Sequence, residues 1–247
     1  MNKNVNTCIV VPCYNEEKNF SVAKFEKVIS KHSDIRLCFV DDGSTDRTPF
    51  LLEKMKKLQP KRIDVITLLE NKGKAEAVRI GIKHCNKSYN HSIIAFLDAD
   101  LSTSLEECME LRYYLNNEVE FCFASRIVKK GSNIQIKKHR FIIGRLLNPI
   151  ISRILGLRIY DTQCGCKLFK TDLSKKIFED EYISRWLFDI EIFLRIINIY
   201  GIEFAKCKIY EAPIRSWIDS KDSKVKFTYI FQLFYDLYKI NKTKNLS

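Results

Sequence analysis

The sequence predicts an α/β fold, with a mainly parallel central sheet flanked by helices and amphipathic helices toward the C-terminus. Three observations lead there. Five short apolar, β-branched-rich runs recur through the first half, helical patterns separate them, and four of the five runs end in polar loops rich in Asp, Asn and Gly. The chain has 247 residues, which suits one core, because chains divide into separate cores only beyond about 250 to 300 residues.

The strand runs are Thr7 to Val11, Leu37 to Val40, Asp64 to Leu69, Ile93 to Leu97 and Phe121 to Ala124. Between them, Ser21 to Lys31, Thr48 to Leu58, Lys74 to Cys85 and Leu105 to Asn116 read as helices. The second opens in Asp46-Arg47-Thr48-Pro49, with Pro near its first turn. From residue 137 the pattern changes. His139 to Ile159 is apolar with Arg at intervals and Pro149 as a break, Asp161 to Phe169 is a polar loop entering a short strand, and Ser184 to Tyr200 is a strongly apolar helix. A last helix, about Val225 to Ile240, places Phe227, Phe231, Phe234 and Tyr238 on one stripe. We therefore expect one domain over residues 1–220 and a basic amphipathic helix with its tail over 221–247.

Composition excludes several classes. Eight Gly and five Pro among 46% hydrophobic residues rule out a disordered or linker-rich chain. Nine Cys, an odd number at irregular spacing, follow a polar N-terminus, so they read as reduced thiols buried as small hydrophobes in a cytosolic protein. Cys164-Gly165-Cys166 lacks the second pair that a zinc site needs. The net charge is +12, and residues 137–160 with 221–247 supply +10 of it. Arg145, Arg153 and Arg158 interrupt the longest apolar stretch, so no transmembrane helix is expected.

The polar loops are Pro12-Cys13-Tyr14-Asn15-Glu16-Glu17, Asp41-Asp42-Gly43-Ser44-Thr45-Asp46, Asn71-Lys72-Gly73-Lys74 and Asp98-Ala99-Asp100. In open α/β sheets ligands lie outside the carboxyl ends of the strands, so all four would face one crevice. Asp98 and Asp100, one residue apart, suit a hard divalent cation that also takes phosphate oxygens, and equally suit helix capping. Asp41 and Asp42 suit a ribose or a base N–H, and equally a turn. Lys74 and Arg126 suit a diphosphate. Neither GxGxxG nor GxxxxGK[ST] is present.

In order along the chain, these loops resemble the family 2 glycosyltransferases, inverting enzymes of the Rossmann-like GT-A fold. Ser125-Arg126, Asp161-Thr162-Gln163-Cys164-Gly165-x-Lys167-Leu168-Phe169, Trp186-x-Phe188-Asp189-x-Glu191, Glu211-x-Pro213-Ile214 and Trp217 followed by Ser223-Lys224-Val225 narrow the resemblance. This set is similar to the dolichyl-phosphate β-glucosyltransferase branch and its prokaryotic polyprenyl-phosphate relatives, over about residues 7–230.

The resemblance implies a GT-A catalytic domain over 1–220, a nucleotide-sugar donor, UDP-glucose first among candidates, and Mg²⁺ or Mn²⁺. Carried over, Pro12, Tyr14, Glu16, Asp42 and Lys74 contact the nucleoside, Asp98 approaches the ribose or sugar, and Asp100 holds the metal. Arg126 and Lys224 neutralise charge on the leaving diphosphate or guide an acceptor phosphate. Asp189 is the base for a hydroxyl acceptor, or a positioning group for a phosphate acceptor, which is already ionised near neutral pH.

The expected acceptor is a polyprenyl phosphate at the cytoplasmic face of a membrane. The alternatives are a glycan or small-molecule hydroxyl, and an inactive nucleotide-sugar-binding scaffold. The basic, apolar segments fit peripheral contact with anionic lipid, and no nucleic-acid motif accompanies them. We expect the chain to do without the N-terminal span of the eukaryotic dolichol enzymes and the C-terminal spans of many bacterial relatives, so that its membrane contact is peripheral. Where relatives carry Gly-Lys-Gly-Gly-Ala, Gly73-Lys74-Ala75-Glu76-Ala77 places an acid beside the expected nucleotide.

Overall fold

The computed structural model describes residues 7–185, 187–218, 235, 236 and 238–240, without the side chains of 138–143, 145 and 146. Its elements run β1 (Thr7–Cys13), α1 (Val22–Lys31), β2 (Ile35–Asp41), α2 (Thr48–Leu58), β3 (Ile63–Thr67), α3 (Lys74–Ser88), β4 (Ile93–Leu97), α4 (Leu105–Leu111), β5 (Phe121–Ser125) and β6 (Asn133–Gln135). Then come α5 (Lys138–Leu155), β7 (Cys166–Lys170), α6 (Thr171–Ile177), α7 (Phe188–Tyr200), α8 (Ile202–Lys208), β8 (Ile209–Pro213) and β9 (Ser216–Ile218).

Seven strands form one sheet in the order β3-β2-β1-β4-β7-β5-β8, and β6 pairs with β9. The expected parallel sheet is present, with one exception. β7 pairs antiparallel with both β4 and β5, so the remaining six strands share one direction and their C-terminal loops gather along one edge. Alternation along each strand divides the core. Cys8, Val10, Cys38, Val40, Phe96, Phe121 and Phe169 pack under α3, α6 and α7, while Ile9, Val11, Leu37, Phe39, Ala95, Leu97 and Leu168 pack under α1, α2 and α4.

Local polar contacts move several expected boundaries. The helix expected to reach Asn116 ends at Leu111 and tightens into a 3₁₀ turn, Arg112–Tyr114, and the Asn116 side chain then accepts the amides of Glu118 and Val119. The helix expected from Ser184 begins at Phe188, because the Glu191 carboxylate takes the amides of Ile183 and Ser184 and holds them in a turn. Pro149 lies inside α5 rather than breaking it; Ile151 and Leu155 of that helix are buried, and their packing outweighs the lost hydrogen bond.

Eight of the nine cysteines are buried and all are free thiols, as expected of small hydrophobes. No described helix is long and apolar enough to cross a membrane. Most of the expected Val225–Ile240 helix, with Phe227, Phe231 and Phe234, lies outside the described residues. Of its described part, Ile240 is buried while Tyr238 is exposed.

Gly81 shows how closely α3 sits on the sheet. A Cβ there would stand 2.4 Å from Val10 Cγ1 and 2.8 Å from Val40 Cγ2. Overpacking a core costs about 1–3 kcal/mol, against the 0.8–1.0 kcal/mol or so that Ala gains over Gly in a helix. Gly81→Ala is therefore expected to destabilise the protein by about 1 kcal/mol despite its better helix propensity, measurable as a lower urea midpoint at unchanged m-value.

Candidate functional site

The loops after β1 and β2 are laced together. Asn15 N–H donates to Ser44 Oγ at 3.0 Å, Glu16 N–H to Thr48 Oγ1 at 2.8 Å, and Thr45 N–H to Asn15 Oδ1 at 2.8 Å. Asn15 and, beyond β4, Leu101 take positive φ of 50° and 52°, and no other described non-glycine residue does. Both lie at the sheet edge that carries the polar loops, where backbone strain of this kind collects at functional sites. Of the β1-loop residues expected to meet a nucleoside, Pro12 is half-buried on β1, Tyr14 is exposed and Glu16 is half-buried.

Asp41 and Asp42, paired in the sequence, do different work. Asp42 is buried, and both its oxygens are spent on the loop after β3: Oδ1 accepts Lys72 N–H at 2.7 Å, and Oδ2 accepts Gly73 N–H at 2.9 Å and the Asn71 amide at 3.0 Å. Burial raises its pKa in spite of those amides. Asp41 Oδ1 accepts Ser44 N–H at 3.1 Å, whereas its Oδ2 is buried with no hydrogen-bond partner among the described residues. A buried acceptor left in this state suits a ligand N–H.

Lys74 opens α3 and places its Nζ 2.5 Å from Asp98 Oδ1. Burial opposes the ammonium, but Asp98, then Asp189 and Asp100, more than offset it, and its pKa is raised. Asp98 N–H donates to Gly165 O at 3.0 Å, and a Cβ on Gly165 would stand 1.9 Å from Asp98 Oδ2. The carboxylate thus lies against a bare Cα on the strand entry of β7. Asp100 Oδ1 accepts Ser102 N–H at 2.9 Å.

No described group of three or more His, Cys, Asp or Glu residues forms a complete metal cage. Two all-oxygen ligands at a strand end, with a lysine ammonium already standing in as the cation at Asp98, fit a hard divalent ion that draws its remaining ligands from diphosphate and water.

Asp189, 4% exposed in the first turn of α7, is not an open carboxylate. Its Oδ1 stands 2.5 Å from Nζ of Lys167, which is itself wholly buried on β7 and also donates to Cys164 O at 2.8 Å. Lys167 lay within the recognised motif, yet no feature of the sequence predicted its partner. Glu191, in the same motif as Asp189, is the carboxylate that holds the Ile183–Ser184 turn.

Arg126 Nε and Nη2 form a bidentate pair with Asp161 Oδ2 and Oδ1 at 2.6 and 2.7 Å, and its guanidinium lies 4.9 Å from the Trp217 ring centroid. Behind it, the Glu211 carboxylate accepts Ser125 Oγ at 2.7 Å and Asp161 N–H at 2.8 Å. Glu76 forms a bidentate pair with Arg79, at 2.7 Å for each bond, and lines an open cavity of about 420 Å³ with Glu181, Tyr182 and Arg185. That cavity is walled by none of Asp41, Asp98 and Asp100. Lys224 lies outside the described residues.

Burial alone pushes the Asp161 carboxyl up, and Arg126 more than reverses it, leaving the pKa below the ordinary 3.8. A depressed folded-state pKa contributes stability above the unfolded value and loses it as the pH falls through the folded one. Asp161→Asn should therefore be less stable than the parent at pH 7, by about 3 kcal/mol, since Arg126 loses its counter-charge. The gap should narrow as the pH drops below 3.8. Urea unfolding at a series of pH values measures it.

A family model, Glycosyl transferase family 2, matches residues 8–178. The human dolichyl-phosphate beta-glucosyltransferase is 31% identical over 233 residues, covering 88% of this chain and 68% of the relative. The Saccharomyces cerevisiae dolichyl-phosphate beta-glucosyltransferase is 29% identical over 238 residues, with the same two shares. Among solved structures, glucosyl-3-phosphoglycerate synthase from Mycobacterium tuberculosis, in complex with Mn²⁺, UDP-glucose and phosphoglyceric acid, matches with a TM-score of 0.65 at 15% identity, over 96% of this chain and 80% of that one. That likeness is one of fold, and it agrees with the GT-A architecture expected from the motifs. With the family model spanning well over half its length, the chain belongs to glycosyl transferase family 2 and is a glycosyltransferase.

Proposed function

We propose that the protein transfers glucose from UDP-glucose to a polyprenyl phosphate, with inversion, at the cytoplasmic face of a membrane. The observation that carries the acceptor assignment is the buried Lys167–Asp189 pair. Asp189 Oδ1 is committed to Lys167 inside the core, and breaking a buried pair of this kind costs about 3–5 kcal/mol. A hydroxyl acceptor calls for a free carboxylate beside it, which the paired and buried Asp189 does not offer, whereas a phosphate monoester, with a second pKa of about 6, needs no base. The dolichyl-phosphate relatives support the same acceptor, and the UDP-glucose and Mn²⁺ complexes of the structural neighbour support the donor and a divalent ion.

In this reading the β1 loop with Pro12, Tyr14 and Glu16 receives the nucleoside, and Asp41 Oδ2 accepts a base N–H. Asp42 keeps the loop before Lys74 in place. Asp98 and Asp100 would hold Mg²⁺ or Mn²⁺, which supplies positive charge to the diphosphate oxygens. An acceptor phosphate oxygen forms its bond to the anomeric carbon on the face opposite the breaking bond to the diphosphate, and the departing UDP carries away the electron pair. Lys74 stands by to take up the charge that develops there. Arg126, oriented by Asp161, and Lys224 direct the acceptor phosphate.

Residues 1–220 form the catalytic domain, and 137–160 with 221–247 make peripheral contact with anionic lipid.

The test is transfer of labelled glucose from UDP-glucose, with Mg²⁺ or Mn²⁺, to polyprenyl phosphate, to the matching polyprenol and to a soluble sugar. Label is expected in the phosphate lipid only, to disappear with EDTA and to fall on the order of 100-fold in Asp100→Ala. Label in the polyprenol or the sugar would overturn the acceptor assignment and return Asp189 to the role of base. Gly165→Ala, which drives a methyl into Asp98, is expected to lower transfer on the order of 100-fold while far-UV circular dichroism stays unchanged.

A further inference from the structure

Arg185 has no part in the steps above, and its sequence neighbourhood carried no signal for it. Its guanidinium reaches across to the loop after β3, where Nε donates to Lys72 O at 3.0 Å and Nη2 to Asn71 O at 2.6 Å. Ala75 N–H returns a bond to Arg185 O at 3.4 Å. The opposite side of the same loop faces Asp42, which takes the Lys72 and Gly73 amides. The backbone from Asn71 to Gly73 is thus held by its amides on one side and by its carbonyls on the other. Gly73 takes φ +96°, and a Cβ there would meet Arg185 Nε at 3.0 Å. The next residue is Lys74, whose ammonium pairs with Asp98.

The turn that carries Arg185 is itself anchored. Ile183 and Ser184 donate their amides to Glu191 at 2.9 and 2.7 Å, Leu187 N–H donates to Ser184 Oγ at 2.9 Å, and Ser184 Oγ donates to Asp236 at 2.6 Å. Arg185 therefore links the loop ahead of Lys74 to the helix that bears Asp189.

We propose that Arg185 is a positioning residue for the nucleotide-sugar donor: its grip on the Asn71 and Lys72 carbonyls keeps the loop, and Lys74 after it, in the conformation that receives the diphosphate. This rests on the donor reading given above. A loop that occupies its receptive form for only a fraction of the time weakens apparent affinity by that fraction, while the bound complex reacts as before. The signature is a change in donor KM rather than in kcat.

The experiment compares the full chain with Arg185→Ala and Arg185→Lys, by hydrogen exchange and by kinetics with UDP-glucose varied at saturating polyprenyl phosphate. Arg185→Ala is expected to speed exchange in the peptide spanning residues 70–75 without altering β5, to raise donor KM about tenfold and to leave kcat within about threefold. Arg185→Lys, which can reach one carbonyl but not both, should fall between. Unchanged exchange at 70–75 overturns the clamp. Faster exchange at an unchanged donor KM, or a fall in kcat alone, overturns the positioning role. If the parent protein transfers nothing from UDP-glucose, the donor reading fails in the parent's own assay, and with it the donor part of this proposal, while exchange at 70–75 still decides the clamp.

Discussion

A lysine enclosed on all sides by a sheet and its helices needs a counter-charge, and Lys167 finds it in Asp189 at 2.5 Å. The ammonium of Lys167 belongs to β7, which runs against both its neighbours, and the carboxylate belongs to the first turn of α7. Their attraction ties the C-terminal half of the chain to the centre of the sheet. It also fixes a negative charge beside Lys74, which Asp98 holds from the other side. Carboxylates and ammoniums thus alternate from Lys167 through Asp189, Lys74 and Asp98.

β7 serves the site in a second way. Its entry, Cys164-Gly165-Cys166, brings a residue without a side chain under the Asp98 carboxylate, and a hydrogen bond from Asp98 N–H to Gly165 O sets the distance. The aspartate pair at the end of β4 is therefore aimed by Gly165, which enters β7 far later in the chain. The Arg126–Asp161 pair follows the same pattern, with Glu211 on β8 holding the backbone that presents Asp161. Strands distant in sequence thus supply one another's supports.

Elsewhere the chain isolates charges that its sequence sets close together. Glu76, the acid expected beside the nucleotide, sits in the first turn of α3 and is neutralised by Arg79 three residues further along that helix. Asp42 braces the loop that precedes Lys74, and Asp41 next to it keeps a buried oxygen without a hydrogen-bond partner among the described residues. Of two adjacent carboxylates, one is structural and one is available.

The sequence by itself determined the α/β order, the strand-end loops and the family, because hydrophobic period and loop residue types are local properties that survive any change of neighbours. The placement of Pro12, Tyr14, Asp41, Lys74, Asp98 and Asp100 along one edge of the sheet was legible on that basis. Only the tertiary structure decided that β7 runs antiparallel, that Lys167 meets Asp189 and that Arg126 meets Asp161. It alone showed Arg185 reaching residues 71 and 72, and Glu191 turning the chain where a helix was expected. Each of these depends on which side chains meet across tens of residues of intervening chain. No periodicity encodes such meetings; the strong penalty for an unpaired charge or amide inside the core enforces them once the chain has folded.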